Sequence, residues 1–115
     1  MLSPERVQRL RGYLVEEEAN LRQQILSLGI TSREADVASG NHMAEDATAA
    51  FDQAAAVSLQ RGHQVTLTEV ERALARLTTG TYGECERCRT QIDFARLKAI
   101  PQAAFCMTCQ RVAEL

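Results

Sequence analysis

Tryptophan is absent from the 115 residues, and aromatic side chains make up only 4% of them. A rounded core built on bulky rings is therefore excluded. Alanine and leucine lead an apolar content of 45%, and both suit a seam between helices. No apolar run comes near the about 20 residues that span a bilayer. The first 20 residues are charged throughout and lack the apolar stretch of a secretory signal. A cytoplasmic protein with no membrane partner is the expectation. A basic excess is missing too: 13 Lys and Arg stand against 15 Asp and Glu, for a net charge of −2. Non-specific nucleic-acid binding depends mainly on neutralising phosphates, so direct binding to free DNA is not expected. Internal repeats and low-complexity stretches are lacking as well.

What is present is helical patterning. Ser3-Pro4 reads as an N-cap followed by proline at the first helical position, where its missing N–H costs nothing. Val7, Leu14, Leu21 and Leu28 recur at intervals of seven, with Leu10 and Ile25 beside them. This is a coiled-coil stripe, weakened by Glu17 and Gln24 at places a dry seam would fill with apolar residues. Gly29 is a C-terminal stop signal. The spacing thus predicts a helix over about 4–28 and a connection over about 29–41, with Thr31 and Glu34 able to form a capping box. A second helix over about 42–79 follows, capped by Asn41, with Glu45 and Asp46 near its positive end. Its apolar positions include Phe51, Ala55, Leu59, Leu67, Val70, Leu74 and Leu77, and Gly80 ends it. Gly62 interrupts it at a cost of about 1 kcal/mol relative to alanine, which makes a local bend plausible. His63 reads as a surface or seam residue. Such a rod is about 55 Å long at ~1.5 Å per residue and cannot bury itself alone. Its natural partner is the first helix folded back antiparallel. The fold class is mainly α: an antiparallel coiled-coil hairpin over 1–79 and a small four-cysteine module over 80–115 that ends in a short helix. An intramolecular hairpin satisfies the stripe without a second chain, so a monomer is expected.

The cysteines are the sharpest signal. Cys85 and Cys88 form one C-x2-C pair, and Cys106 and Cys109 form another after seventeen intervening residues. Two close pairs on a connector of this length read as a zinc ribbon, in which each tight turn supplies two thiolates to a tetrahedron. Residues 80–115 hold too little apolar mass to fold unaided, and a structural Zn²⁺ supplies about 10–16 kcal/mol in peptides. With four protein ligands no position is open to water or substrate, so the ion is structural. Two disulfides, or one redox-active pair, are the other readings of these cysteines. A reducing cytosol and the symmetry of the pairs count against both. Arg89 follows the first pair where zinc knuckles commonly have glycine, which points to a slightly strained turn. Arg87, Arg89, Arg96, Lys98 and Arg111 are candidates to offset the charge of four thiolates on one ion, although each also reads as an ordinary solvated side chain.

The run Gly80-Thr81-Tyr82-Gly83-Glu84-Cys85-Glu86-Arg87-Cys88 continues into Ile92, Arg96-Leu97, Ala99, Pro101 and Cys106-Met107-Thr108-Cys109-Gln110. This stretch closely resembles the DksA/TraR family over 79–111. The rest resembles it in architecture, a helical hairpin on a four-cysteine zinc module. The resemblance implies a bacterial regulator that catalyses nothing itself. It implies that the hairpin enters the secondary channel of RNA polymerase and alters promoter complexes from near the catalytic centre. The family's tip motif, Asp-x-x-Asp-x-Ala, falls on His42-Met43-Ala44-Glu45-Asp46-Ala47. The 38-residue separation of Ala47 from Cys85 supports that register. Glu45 keeps the second acid and Ala47 the alanine, while His42 replaces the first acid with an imidazole that cannot copy a carboxylate. Taken alone, His42 reads as a helix-start residue in water. In the family's prototype, cationic residues that help bind guanosine tetraphosphate match Glu69, Ile100 and Gln110 here. None of these is cationic, and a polyanion needs charge-assisted donors, so little response to that nucleotide is expected.

Two other functions compete with a polymerase-binding regulator. One is a zinc-ribbon adaptor for another protein, with the hairpin as a docking rod. The other is a redox- or zinc-responsive regulator that releases its metal on oxidation. An enzyme is the poorest fit, since there is no Ser/His/Asp set, phosphate loop or open metal site.

Overall fold

The computed structural model describes residues 2–38 and 43–115, and the side chains of 2–28 and 49–115 among them. Its helices are α1 (Pro4–Ala38), α2 (Met43–Thr79), α3 (Phe94–Ala99) and α4 (Met107–Ala113). Ser3 caps α1 as expected, its Oγ accepting the Arg6 N–H at 3.2 Å. The other end of α1 corrects the sequence reading: the helix does not stop at residue 28 but runs on to Ala38. One glycine costs only about 1 kcal/mol inside a helix, and the Thr31–Ala38 stretch after it contains no proline to stop the chain. The expected 29–41 connection is shortened accordingly. His42 lies outside the described residues. Glu45 and Ala47 lie in the first turns of α2, with side chains outside the described set. Gly62 does not interrupt α2.

The chain divides into two compact units, one of Met1–Glu18 with Thr68–Leu115, the other Ala19–Leu67. The expected division at 79/80 therefore falls inside the first unit. That unit holds the core cluster of Leu10, Cys85, Ile92, Leu97, Ala103 and Cys109, with Leu2, Tyr82, Phe94 and Phe105 packed on it. Leu14, Val70 and Ala73 are also fully enclosed, at 0% exposure each. A Cβ on Gly83 would meet Leu2 Cδ1 at 3.0 Å, and the φ of +89° there already favours glycine. The Arg6 guanidinium lies 4.2 Å over the Phe94 ring, joining the start of α1 to α3.

The second unit is a leaner seam. On α1 the inward positions are Leu21, which is buried, with Ile25 and Leu28 half-buried. On α2 the half-buried positions are Ala49, Gln53, Ala56, Val57, Gln60, His63, Thr66 and Leu67, a row at three- and four-residue steps. Gln60 Nε2 donates to the Ile25 carbonyl at 3.2 Å, so a hydrogen bond takes the place of an apolar contact there. This register corrects two expectations. Phe51, Ala55 and Leu59 lie outward, with Phe51 and Leu59 75% and 56% exposed. Glu17 and Gln24 also face solvent, and Glu18 and Ile25 take the inward places. An α-helix turns once per 3.6 residues, so the inward row drifts from a strict count of seven. His63 is a seam residue.

Leu21 is the only apolar side chain of the second unit that is fully buried among the described residues. Local stability follows buried apolar contact. In the zinc-loaded chain, amides of 21–28 and 53–63 are expected to exchange hydrogen at least about tenfold faster than those of 10–14 and 70–74. Equal protection by mass spectrometry or NMR would contradict this account of the two seams.

Candidate metal centre

The first pair of cysteines sits on a tight turn closed by main-chain bonds. Glu84 and Gln91 form an isolated antiparallel bridge. Within it, the Cys85 N–H donates to the Thr90 carbonyl at 2.8 Å and the Arg89 N–H to the Cys85 carbonyl at 3.0 Å. Closing so small a loop requires a left-handed residue, and Arg89 takes it with φ of 65°. The strain expected from its sequence position is present, at about 1–2 kcal/mol for a residue with a Cβ. The second pair lies on α4: Cys106 is its extended N-cap residue, and Cys109 stands in its first turn.

The residues between the pairs explain why their types recur in the motif. Ile92 and Leu97 are buried at 1% and 0% exposure. The Tyr82 hydroxyl donates to the Pro101 carbonyl at 2.8 Å, and burial pushes its pKa up to about 12 against the opposing pull of Arg76. Arg96 donates through Nε to the Phe105 carbonyl at 3.0 Å and through a terminal nitrogen to Met107 Sδ at 3.0 Å. Its cation thus braces the chain on both sides of Cys106 rather than lying free in solvent.

The four sulfurs all lie within 4.8 Å of one another. Cys88 Sγ and Cys106 Sγ are 3.8 Å apart, and none of the four cysteines is in a disulfide. A tetrahedral ion with Zn–S bonds of about 2.3 Å requires sulfur separations of about 3.8 Å, so the cage fits zinc. The thiols also differ in a way that a cation resolves. Burial raises the Cys85 pKa, but the N–H groups of Cys88, Cys106 and Arg87 outweigh it and bring the value down to about 6. The Thr90 hydroxyl, 2.8 Å from Cys88 Sγ, with the Thr90 N–H, lowers the Cys88 thiol. Cys109 goes the other way, driven up to about 12 by burial and by the sulfurs of Cys106, Cys85 and Cys88. Four thiolates cannot share this space without a counter-ion. Zn²⁺ supplies the positive charge and a cross-link between the two turns, and all four of its positions are taken by protein.

The structure brings together every expected metal ligand. It also places Glu69, Ile100 and Gln110 on the lining of one cleft of about 390 Å³ beside the module, together with Arg72, Arg76 and Glu86. Sequence reasoning missed Arg76. Its side chain is 11% exposed and pairs with Glu86 at 2.9 Å. The only hint was a basic residue in the last turn of α2, a position that ordinarily signals an interaction with the helix dipole.

A helical hairpin joined to a four-thiolate finger defines a C4-type zinc-finger protein. Residues 80–115 match the family described as prokaryotic dksA/traR C4-type zinc finger. The chain is 35% identical over 74 residues to General stress protein 16O of Bacillus subtilis (strain 168), covering 64% of this chain and 45% of that one. Over 49 residues it is 35% identical to the RNA polymerase-binding transcription factor DksA of Haemophilus influenzae, covering 43% of this chain and 34% of that one. The chain therefore spans less than half the length of these relatives. Its fold is that of transcription factor DksA2 from Pseudomonas aeruginosa, with a TM-score of 0.83 at 21% identity over 97% of this chain and 85% of that structure. Among the described residues no helix is long and apolar enough to cross a membrane.

Metal uptake must displace the protons the thiols carry. In the metal-free chain near neutral pH Cys85 is ionised and Cys109 keeps its proton. Zinc affinity, measured by competition with a chromophoric chelator, is expected to rise by at least about tenfold per pH unit between about pH 6 and about pH 8, for the Cys109 proton alone. An affinity flat across that range would mean the thiolates are already formed without the ion.

Proposed function

We propose that the chain is a transcription regulator that binds bacterial RNA polymerase through its secondary channel. It acts without catalysis of its own. The observation that carries this reading is the dksA/traR finger over 80–115 on a helical hairpin whose fold matches a DksA structure along 97% of the chain. In this reading the finger anchors on the enzyme, and the tip, with His42 and with Glu45 and Ala47 at the start of α2, meets polymerase elements near the active site. Glu45 supplies the single carboxylate at a family acid position, and His42 supplies an imidazole where the family has the other. The work is done in the cytoplasm by one copy of the chain, with no sequence-specific contact to DNA. The composition supports that last point, since a net charge of −2 gives little purchase on a phosphate backbone.

We also propose that guanosine tetraphosphate has little effect on this activity. Glu69, Ile100 and Gln110, the matches to the prototype's cationic positions, share a cleft whose other walls include Glu86 and Glu114. Arg76 and Arg96 also line it, but their guanidinium groups are engaged with Glu86, Ala103, Phe105 and Met107. A polyanion there meets carboxylates and few uncommitted donors.

Capture of core RNA polymerase by the tagged chain tests the first proposal. Glu45→Lys and Ala47→Thr variants are expected to keep polymerase binding and to lose most of the effect on promoter-complex lifetime. Failure to capture polymerase at any ionic strength would move the adaptor reading ahead. For the second proposal, transcription with and without guanosine tetraphosphate is expected to differ by less than about twofold, below the about fivefold that marks ordinary coupling between sites. A tenfold enhancement would overturn it.

A further inference from the structure

Arg76 is the point where α2 meets both metal-binding turns. Its carbonyl accepts the N–H of Thr81 at 3.0 Å and of Tyr82 at 3.2 Å. With Gly80 left-handed at φ of 79°, this is a Schellman-type end to the helix. Its side chain leaves that end in the opposite role, as a donor. One terminal nitrogen donates to Glu86 Oε1 at 2.9 Å, and Glu86 stands between Cys85 and Cys88. The other terminal nitrogen approaches the Ala103 carbonyl at 3.4 Å, on the segment that leads into Cys106. The Glu86 N–H donates to the Ala104 carbonyl at 2.8 Å, so the two segments gripped by the fork also grip each other. Nε is buried and has no partner among the described residues. A buried N–H is costly to leave unpaired, and here the planar fork is committed to Glu86 and Ala103 instead.

We infer that Arg76 is a positioning residue for the zinc centre: it sets the distance between the two C-x2-C turns and ties their geometry to the end of α2. Metal ligands held by such outer contacts lose affinity when the contacts go, even though no bond to the ion is touched. Lysine is a poor replacement, because a single ammonium cannot span a carboxylate and a carbonyl as a planar fork does. Arg72 provides the internal control. It lies one turn earlier on α2 and lines the same cleft, so it carries the same charge close by, but it is exposed where Arg76 is half-buried.

The experiment uses the full chain loaded with one equivalent of zinc, and a parallel sample loaded with Co²⁺ to make the thiolate tetrahedron visible. Arg76→Gln is expected to lower zinc affinity by about 10- to 100-fold in chelator competition and to shift or weaken the visible cobalt bands. Arg76→Lys is expected to fall between it and the parent, while Arg72→Gln leaves both readouts unchanged. Glu86→Ala removes one prong's partner at a partly exposed site and is expected to reproduce part of the loss. It decides the matter if Arg76→Gln does not fold. Parent-like affinity and cobalt spectrum in folded Arg76→Gln would overturn the assignment, as would an equal loss in Arg72→Gln. If Arg76→Gln is unfolded, a Glu86→Ala variant identical to the parent would overturn it.

Discussion

Four sulfurs that cannot all carry charge together are held within 4.8 Å of one another, and that conflict organises the first unit. The hydrogen bonds around Cys85 favour its thiolate, while burial and three neighbouring sulfurs keep Cys109 protonated. A divalent ion resolves the conflict and fastens the turn at 85–88 to the start of α4. The apolar residues behind it are few: Ile92, Leu97 and Ala103 with the ends of Leu2, Phe94 and Phe105. A cluster of that size does not hold some 36 residues by itself. Ligation energy is folding energy in such a module, which is why two of its ligands, Cys85 and Cys109, belong to the buried core itself.

The finger is nevertheless not self-contained. Leu10 of α1 belongs to the same cluster as Cys85 and Cys109. Leu2 lies where any side chain on Gly83 would have to go, Arg6 covers Phe94, and Arg76 reaches Glu86 and Ala103. These contacts explain why the compact unit takes in residues 1–18 and 68–79 as well as the finger. A boundary drawn where α2 ends separates groups that share one core. The finger is stabilised by metal on one side and by the helix bases on the other, and the polar fork of Arg76 links the two.

Much of this was legible before any coordinates. The ligand set followed from two C-x2-C pairs, the start of α1 from Ser3-Pro4, the end of α2 from Gly80, and the strained turn from an arginine at position 89. Each is a local signal with a local cause. The misreadings had causes that sequence spacing does not carry. Gly29 looked like a stop, yet a glycine within a helix costs little enough for flanking residues to override it. Phe51 and Leu59 looked like seam residues because they are large and apolar. The seam instead runs through Ala49, Ala56 and Gln60, because the inward row is set by where α1 places Leu21 and Ile25. Arg76 gave only the weak hint of a basic residue in the last turn of α2, since its partners are ten and twenty-seven residues away.

The arginines show how counting charges misleads. The cleft beside the finger carries Arg72, Arg76 and Arg96, three cations that by count alone would suit an anion. Two of those three cations are spent inside the fold, one on a carboxylate and a carbonyl, the other on a carbonyl and a thioether. A bidentate or shared guanidinium keeps its charge but not its free donors, and recognition of phosphate needs both. The carboxylates of Glu69 and Glu114 are on the same walls. The field a ligand meets is therefore set by which side chains the fold has already engaged. In this cleft two of the three arginines are already engaged with groups beside the metal-binding turns.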